Sequence, residues 1–108
     1  MLSERLHAAI NEQINAELWS AYLYLSMSMD AEAKGYKGVA NWFYVQWLEE
    51  QDHARILANY LNSRDAKVEL KPIAEVQTEW ALPTPPQGST HLFSIFASPF
   101  LLYKWVRP

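Results

Sequence analysis

The sequence has no cysteine and only three histidines among its 108 residues. Without cysteine the chain cannot form a disulfide, a thiolate metal site or a cysteine nucleophile. A zinc site built from histidine alone is disfavoured, because it would need all three histidines of the chain. Disulfide-stabilised folds and thiol chemistry are therefore excluded before any motif is considered.

Positive charge and long apolar stretches are also scarce. The formal net charge is −3, which argues against a nucleic-acid binder. No stretch reaches the ~20 apolar residues that a transmembrane helix needs. The first residues, Met-Leu-Ser-Glu-Arg, contain no apolar signal region. We therefore expect a cytoplasmic protein that has neither nucleic acid nor a membrane as a partner.

The composition changes abruptly near residue 82. All twelve acidic residues lie at or before Glu79, whereas five of the six prolines lie within residues 83–108. Proline interrupts both helices and sheets because it lacks the backbone N–H and has a fixed φ angle. We therefore divide the chain into a helical part, residues 1–80, and a Pro-rich and apolar tail, residues 81–108.

The first part predicts an all-α fold, a long antiparallel hairpin of two helices. Residues 3–33 predict the first helix, because Ser3 can cap its start and no glycine or proline follows before Gly35. Residues 38–63 predict the second helix by the spacing of their apolar side chains. A short turn between two long helices gives a hairpin. We expect residues 64–80 to form an irregular connection that leaves the end of the hairpin.

Three polar residues fall on the apolar lines of these helices. Glu17 lies on the line of the first helix, and Glu50 and His53 lie on the line of the second. A buried carboxylate without a partner is costly, and two carboxylates on facing lines repel each other. A divalent cation would compensate both effects.

The three polar residues also lie at similar distances from the turn. Glu17 is eighteen residues before Gly35, Glu50 is fifteen after it and His53 is eighteen after it. At ~1.5 Å rise per residue, all three lie about 22–27 Å from the turn and should meet across the hairpin. Two carboxylates and an imidazole suit iron, manganese or zinc. A Glu-x-x-His pair with a Glu on the neighbouring helix is half of the di-iron carboxylate pattern.

Each of these residues also has an interpretation that involves no metal. Glu50 and His53 could form a solvent-facing pair, and Glu17 could lie at the edge of its apolar line. Tyr24 could donate a hydrogen bond to a ligand carboxylate or serve only as a core aromatic residue. Glu49 faces about 100° away from its neighbour on an α-helix, which makes it a solvated acid unless a second cation lies nearby.

Three motifs resemble the first two helices of prokaryotic non-haem ferritins, members of the ferritin-like di-iron family. They are NEQINAEL at residues 11–18, SAYLY at residues 20–24 and EEQDHA at residues 49–54. The resemblance extends from the start of the chain to about Trp80. It implies a four-helix bundle subunit that assembles into a hollow shell, oxidises iron(II) with dioxygen at a dinuclear centre and stores iron(III). Non-haem iron is the cofactor that it implies.

The resemblance also assigns roles to individual residues. Glu17, Glu50 and His53 look like the ligands of the first iron, with Glu50 as the bridge between the two irons. Tyr24 looks like the tyrosine beside that centre and is the candidate catalytic residue. Glu49 looks like a ligand of the accessory iron site.

The sequence departs from the family in two places. Gln51 stands where haem-binding relatives have a methionine after the ligand glutamate, so no haem is expected. The family continues after Trp80 into a third and a fourth helix that supply further iron ligands. Residues 83–108 contain no aspartate or glutamate and cannot replace those ligands. We therefore hypothesise that the tail is an out-of-frame product that follows a deletion, or the result of a wrongly assigned gene end.

Three functions remain open at this stage. The first is a truncated and impaired iron-storage ferritin that self-associates or assembles with full-length subunits. The second is a hairpin that dimerises, so that two half-sites rebuild a di-iron centre with ferroxidase activity. The third is a chain without catalysis, either a non-functional fragment or an interaction module.

Overall fold

A computed structural model of the chain describes residues 2–80, which contain two helices and no strand. Helix α1 spans Glu4–Ala33 and helix α2 spans Lys37–Ser63. The two helices pack against each other as a hairpin, which confirms the predicted all-α architecture. Within the described residues, neither helix has the apolar length needed to cross a membrane. The tail expected at residues 81–108 lies outside the described residues.

Local signals in the sequence explain where the helices begin and end. The Ser3 hydroxyl accepts a hydrogen bond from the Leu6 N–H at 3.2 Å, as an N-cap residue does. Gly35 has a φ of 85°, a left-handed conformation that glycine adopts without steric strain and that reverses the chain. Helix α2 already begins at Lys37, so Gly38 lies in its first turn and not before it.

Two apolar clusters hold the hairpin together. The turn cluster contains the buried residues Trp19, Leu23, Tyr24, Met27 and Phe43. The distal cluster, farther from the turn, contains the buried residues Ile14, Ala54 and Leu61. Glu17 and Glu50 lie between the two clusters along their helices, so apolar packing confines both side chains on either side.

Residues 64–80 contain no helix or strand and run back along α1 toward the turn. The Ser26 hydroxyl donates a hydrogen bond to the Gln77 carbonyl oxygen at 2.7 Å, and the Trp80 N–H donates one to Asp30 Oδ2 at 3.2 Å. The expected irregular connection after the end of the hairpin is confirmed, but it does not run away from the helices. Polar side chains on α1 bind its backbone and keep it against the helix.

Asn11 and Asn15, one turn apart on α1, bind the first part of this segment. Asn11 donates from Nδ2 to the Lys67 carbonyl at 3.0 Å and accepts at Oδ1 from the Glu69 N–H at 2.9 Å. Asn15 donates to the Glu69 carbonyl at 2.9 Å and accepts from the Lys71 N–H at 2.8 Å. The spacings match because four helical residues rise ~6 Å and two extended residues ~6.6 Å. We call these four hydrogen bonds the asparagine ladder.

Candidate metal centre

The two helices bring Glu17, Glu50 and His53 together, as their distances from the turn predicted. Each residue offers one ligand atom, and these atoms all lie within 4.8 Å of one another. His53 Nδ1 lies 3.6 Å from Glu50 Oε1 and 3.8 Å from Glu17 Oε2. Ligands that bind one ion at about 2.1 Å are separated by about 3–3.5 Å, so a small contraction would complete a three-ligand site.

The two carboxylates are buried and incompletely satisfied. Glu17 and Glu50 are only 9% and 1% exposed. Each has its Oε2 atom buried without a hydrogen-bond partner among the described residues. Leaving a buried acceptor unpaired costs about 1–3 kcal/mol, and more where the group is charged. A bound cation would compensate the two buried carboxylates, so the donor set fits a metal ion.

His53 differs from the expectation that all three residues lie in an apolar seam. Its side chain is 50% exposed. It stands one turn beyond Glu50 on α2, at the edge of the contact with α1, so one side of the ring faces solvent. The candidate centre therefore has a buried acidic floor and one side open to solvent, through which an ion can enter.

The pKa of Glu50 is strongly perturbed. It rises from 4.5 to about 9, mainly because burial disfavours the charged form. A hydrogen bond with Glu17 and the negative charges of Glu17 and Glu49 raise it further. In the absence of a cation, the Glu17–Glu50 pair therefore keeps a proton at neutral pH, and a cation must displace that proton to bind both carboxylates.

Tyr24 lies in the wall next to the carboxylates and is fully buried. Its ring packs edge-on against Trp42, with centroids 6.5 Å apart, and is tilted against Phe43 at 6.1 Å. Burial raises the pKa of the Tyr24 phenol, and the charges of Glu50, Glu17 and Glu49 raise it further. The phenol is therefore protonated throughout the neutral pH range.

Glu49 lies outside the cluster of close ligand atoms. Its side chain is exposed. The cluster found within residues 2–80 comprises Glu17, Glu50 and His53 and does not include Glu49. Glu49 influences the centre through its charge, since it contributes to the raised pKa of Glu50.

Sequence reasoning missed one residue of the site, Gln13. Its Nε2 atom donates a hydrogen bond to Glu17 Oε1 at 3.0 Å. Gln13 stands four residues before Glu17, a spacing at which helical side chains meet. That spacing was the available signal, and it could have identified Gln13 as a partner of the ligand carboxylate.

Comparison with protein families matches residues 7–90 to the family described as a ferritin-like domain. A bacterial non-heme ferritin from Bacteroides fragilis is 44% identical over 93 residues, which are 86% of this chain and 57% of that protein. A bacterial non-heme ferritin from Staphylococcus aureus is 33% identical over 81 residues, which are 75% of this chain and 49% of that protein. The chain thus spans about half the length of the curated relatives that it matches.

Solved structures show the same hairpin. An open pore ferritin from the hyperthermophilic archaeon Archaeoglobus fulgidus superposes with a TM-score of 0.74 at 43% identity, covering 77% of this chain and 51% of that chain. A humanized archaeal ferritin gives a TM-score of 0.74 at 42% identity, with the same coverage. The two helices described here therefore correspond to half of a longer helical chain.

Proposed function

The chain belongs to the ferritin-like domain family, and on that premise we propose that it binds iron(II) at Glu17, Glu50 and His53 for oxidation and storage. The observation that carries this proposal is the meeting of two buried carboxylates, one from each helix, with an accessible imidazole, where each residue offers a ligand atom within 4.8 Å of the others. Iron(II) accepts such oxygen and nitrogen ligands. Iron is the substrate in this scheme, and no haem takes part.

The three ligands have different roles in this proposal. Glu50 is the deeper acid, with Oε1 near His53 and Oε2 free. Its two oxygen atoms can therefore face two different ions, and we propose it as the bridge between two irons. Glu17 and His53 complete the first site. Exposed Glu49 is proposed as a ligand of an accessory iron, at which ions would gather near the open side.

Tyr24 is proposed as the tyrosine beside the iron centre. Because its phenol is protonated and buried, it can donate a hydrogen bond but cannot hold a negative charge at low cost. We propose that it donates this hydrogen bond to a carboxylate of the iron centre.

Impaired oxidation is part of this proposal. The described residues supply three ligands, whereas two irons that share an oxidation by dioxygen need more carboxylates and a second imidazole. We therefore expect the chain to bind iron(II) weakly and to oxidise it slowly unless another subunit adds ligands. Longer subunits of the same family would add those ligands, so we propose that the chain assembles with them.

Self-association is the second part of the proposal. Large apolar side chains on α2 are exposed, including Leu48 at 43% and Ile56 at 65%. Several large apolar side chains that are exposed on one helix favour contact between that helix and another protein surface. We propose homo-oligomers, or mixed oligomers with longer subunits, in the cytoplasm. Sedimentation of the purified chain should show species larger than a monomer.

The alternative is a dimer that rebuilds a dinuclear centre from two hairpins. The observation that favours it is the half-exposed His53 side chain, since a second chain that covered the open side would bring its own ligands close. Iron binding near two irons per dimer would support this alternative over the incomplete centre. A single monomeric species would contradict it.

Aerobic oxidation of iron(II) tests the proposed function. The full chain should oxidise iron(II) faster than its Glu50→Gln variant, whereas Glu12→Gln should match the unmodified chain because Glu12 is an exposed acid on the same helix as Glu17. Anaerobic titration of iron(II) should show the same order of affinities. Equal rates and equal affinities in all three proteins would leave only a non-functional fragment.

A further inference from the structure

We infer that Gln13 is a positioning residue of the proposed iron site, and that its side-chain amide holds one oxygen of Glu17 so that the other oxygen is presented to the metal. This inference rests on the proposed function, because the amide has this task only if Glu17 binds a cation. It goes beyond the ligand set, since Gln13 itself does not touch the ion.

The contact is specific for one oxygen of the carboxylate. Gln13 Nε2 lies 3.0 Å from Glu17 Oε1. Glu17 Oε2 has no hydrogen-bond partner and lies 3.8 Å from His53 Nδ1. The two oxygens of Glu17 are thus divided between an amide donor on one side and the candidate metal position on the other.

A free carboxylate would not keep this orientation. The last torsion of a glutamate side chain is broad, so either oxygen, or both, could turn toward an ion. The hydrogen bond from Gln13 selects the orientation in which only Oε2 is available, which favours binding through one oxygen. The donor is a neutral amide, so it fixes Glu17 without adding a positive charge that would repel the cation.

The second helix provides a matched comparison. Gln46 stands four residues before Glu50, the same spacing that separates Gln13 from Glu17. Among the described residues, no hydrogen bond joins Gln46 to Glu50, whereas Gln13 donates one to Glu17. A neighbouring glutamine therefore holds only one of the two acids of the site.

The test uses the full chain and cobalt(II), which accepts the same ligand types as iron(II) and is not oxidised by air under these conditions. Gln13→Met removes the donor while conserving length, and Gln46→Met makes the same change on the other helix. Loss of a group that orients a ligand lowers metal affinity about 10–100-fold. We expect Gln13→Met to bind cobalt(II) at least about tenfold more weakly and to change its visible absorption spectrum. Gln46→Met should change neither.

The outcomes separate the inference from the function on which it rests. Equal affinity and an equal spectrum for Gln13→Met and the unmodified chain would overturn the inference and leave the proposed function intact. Weaker binding with an unchanged spectrum would also overturn it, because a merely structural role predicts that result. Cobalt(II) binding no stronger in the unmodified chain than in Glu50→Gln would overturn both. If Gln13→Met loses helical content, Gln13→Ala takes its place as the test variant, because alanine is a strong helix former. Gln13→Ala must then show the same weaker cobalt(II) binding and the same change in the spectrum.

Discussion

Glu17 and Glu50 lie on different helices, yet each brings a carboxylate oxygen close to the same imidazole, since Glu17 Oε2 lies 3.8 Å and Glu50 Oε1 lies 3.6 Å from His53 Nδ1. Each of these buried carboxylates also keeps its Oε2 atom without a hydrogen-bond partner among the described residues, which weakens the hairpin unless something binds it. Four measurements follow from this arrangement and from the packing around it.

Stability of the metal-free chain should fall as pH rises. The pKa of Glu50 in the folded chain is about 9, above its usual 4.5, so the folded state retains a proton that the unfolded state has released. This contribution to stability is complete below about pH 4.5 and is lost as pH rises through about 9. Thermal unfolding with a chelator present should therefore show a lower midpoint near pH 8.5 than near pH 5.5. Glu50→Gln should flatten the change, whereas Glu12→Gln should keep it.

Metal binding at neutral pH should release a proton. Because burial and the neighbouring acids keep Glu50 protonated without a cation, a cation that binds both carboxylates must displace that proton. Calorimetric titration with cobalt(II) in two buffers of different ionisation enthalpy measures the number of protons released. Glu50→Gln should release none from this group. An identical proton count in both proteins would contradict the assignment.

Replacing His53 should separate metal binding from folding. The side chain is 50% exposed, so His53→Ala removes little buried surface and should change the metal-free stability by less than about 1 kcal/mol. It removes the nitrogen ligand, and a cation at 100 times its dissociation constant should no longer add about 2.7 kcal/mol to stability. Thermal unfolding with and without zinc measures both quantities. Asp52→Ala, at an exposed neighbouring position, should retain the stabilisation.

Loss of the asparagine ladder should release residues 64–80 from α1 without unfolding the two helices. Asn11→Ala removes two hydrogen bonds to backbone groups of Lys67 and Glu69, each worth about 1 kcal/mol net. Hydrogen exchange at the Glu69 and Lys71 amides should accelerate, while exchange within α1 and α2 stays slow. Asn41→Ala, at an exposed position of α2, is the matched control. Unchanged exchange at Glu69 in Asn11→Ala would contradict the ladder's role.

The sequence predicted the hairpin and the meeting of three candidate ligands for physical reasons. Helical periodicity placed Glu17 and Glu50 on apolar lines, and a count of residues from Gly35 placed them at one level. Periodicity gives the direction in which a side chain leaves the helix but not the width of the contact between α1 and α2. It therefore did not show that half of the His53 side chain lies outside that contact. The width depends on how far α1 and α2 approach each other, which only tertiary packing determines.

The course of residues 64–80 could not be predicted from the sequence. Periodic patterns report which side chains face a core, whereas this segment is held through its backbone by Asn11 and Asn15. Asparagine on a helix usually indicates only a solvated polar position. The pairing is visible only in the folded structure, because its signal is the match between the rise of one turn of α1 and the length of two extended residues. No periodic pattern within either segment reports that match.

The asparagine ladder makes contact through main-chain atoms alone at Lys67, Glu69 and Lys71. Side-chain identity there can drift between related sequences without disturbing the hydrogen bonds. An insertion or deletion of one residue would put every later pair out of step. Residues 67–71 should therefore tolerate substitutions but not insertions or deletions.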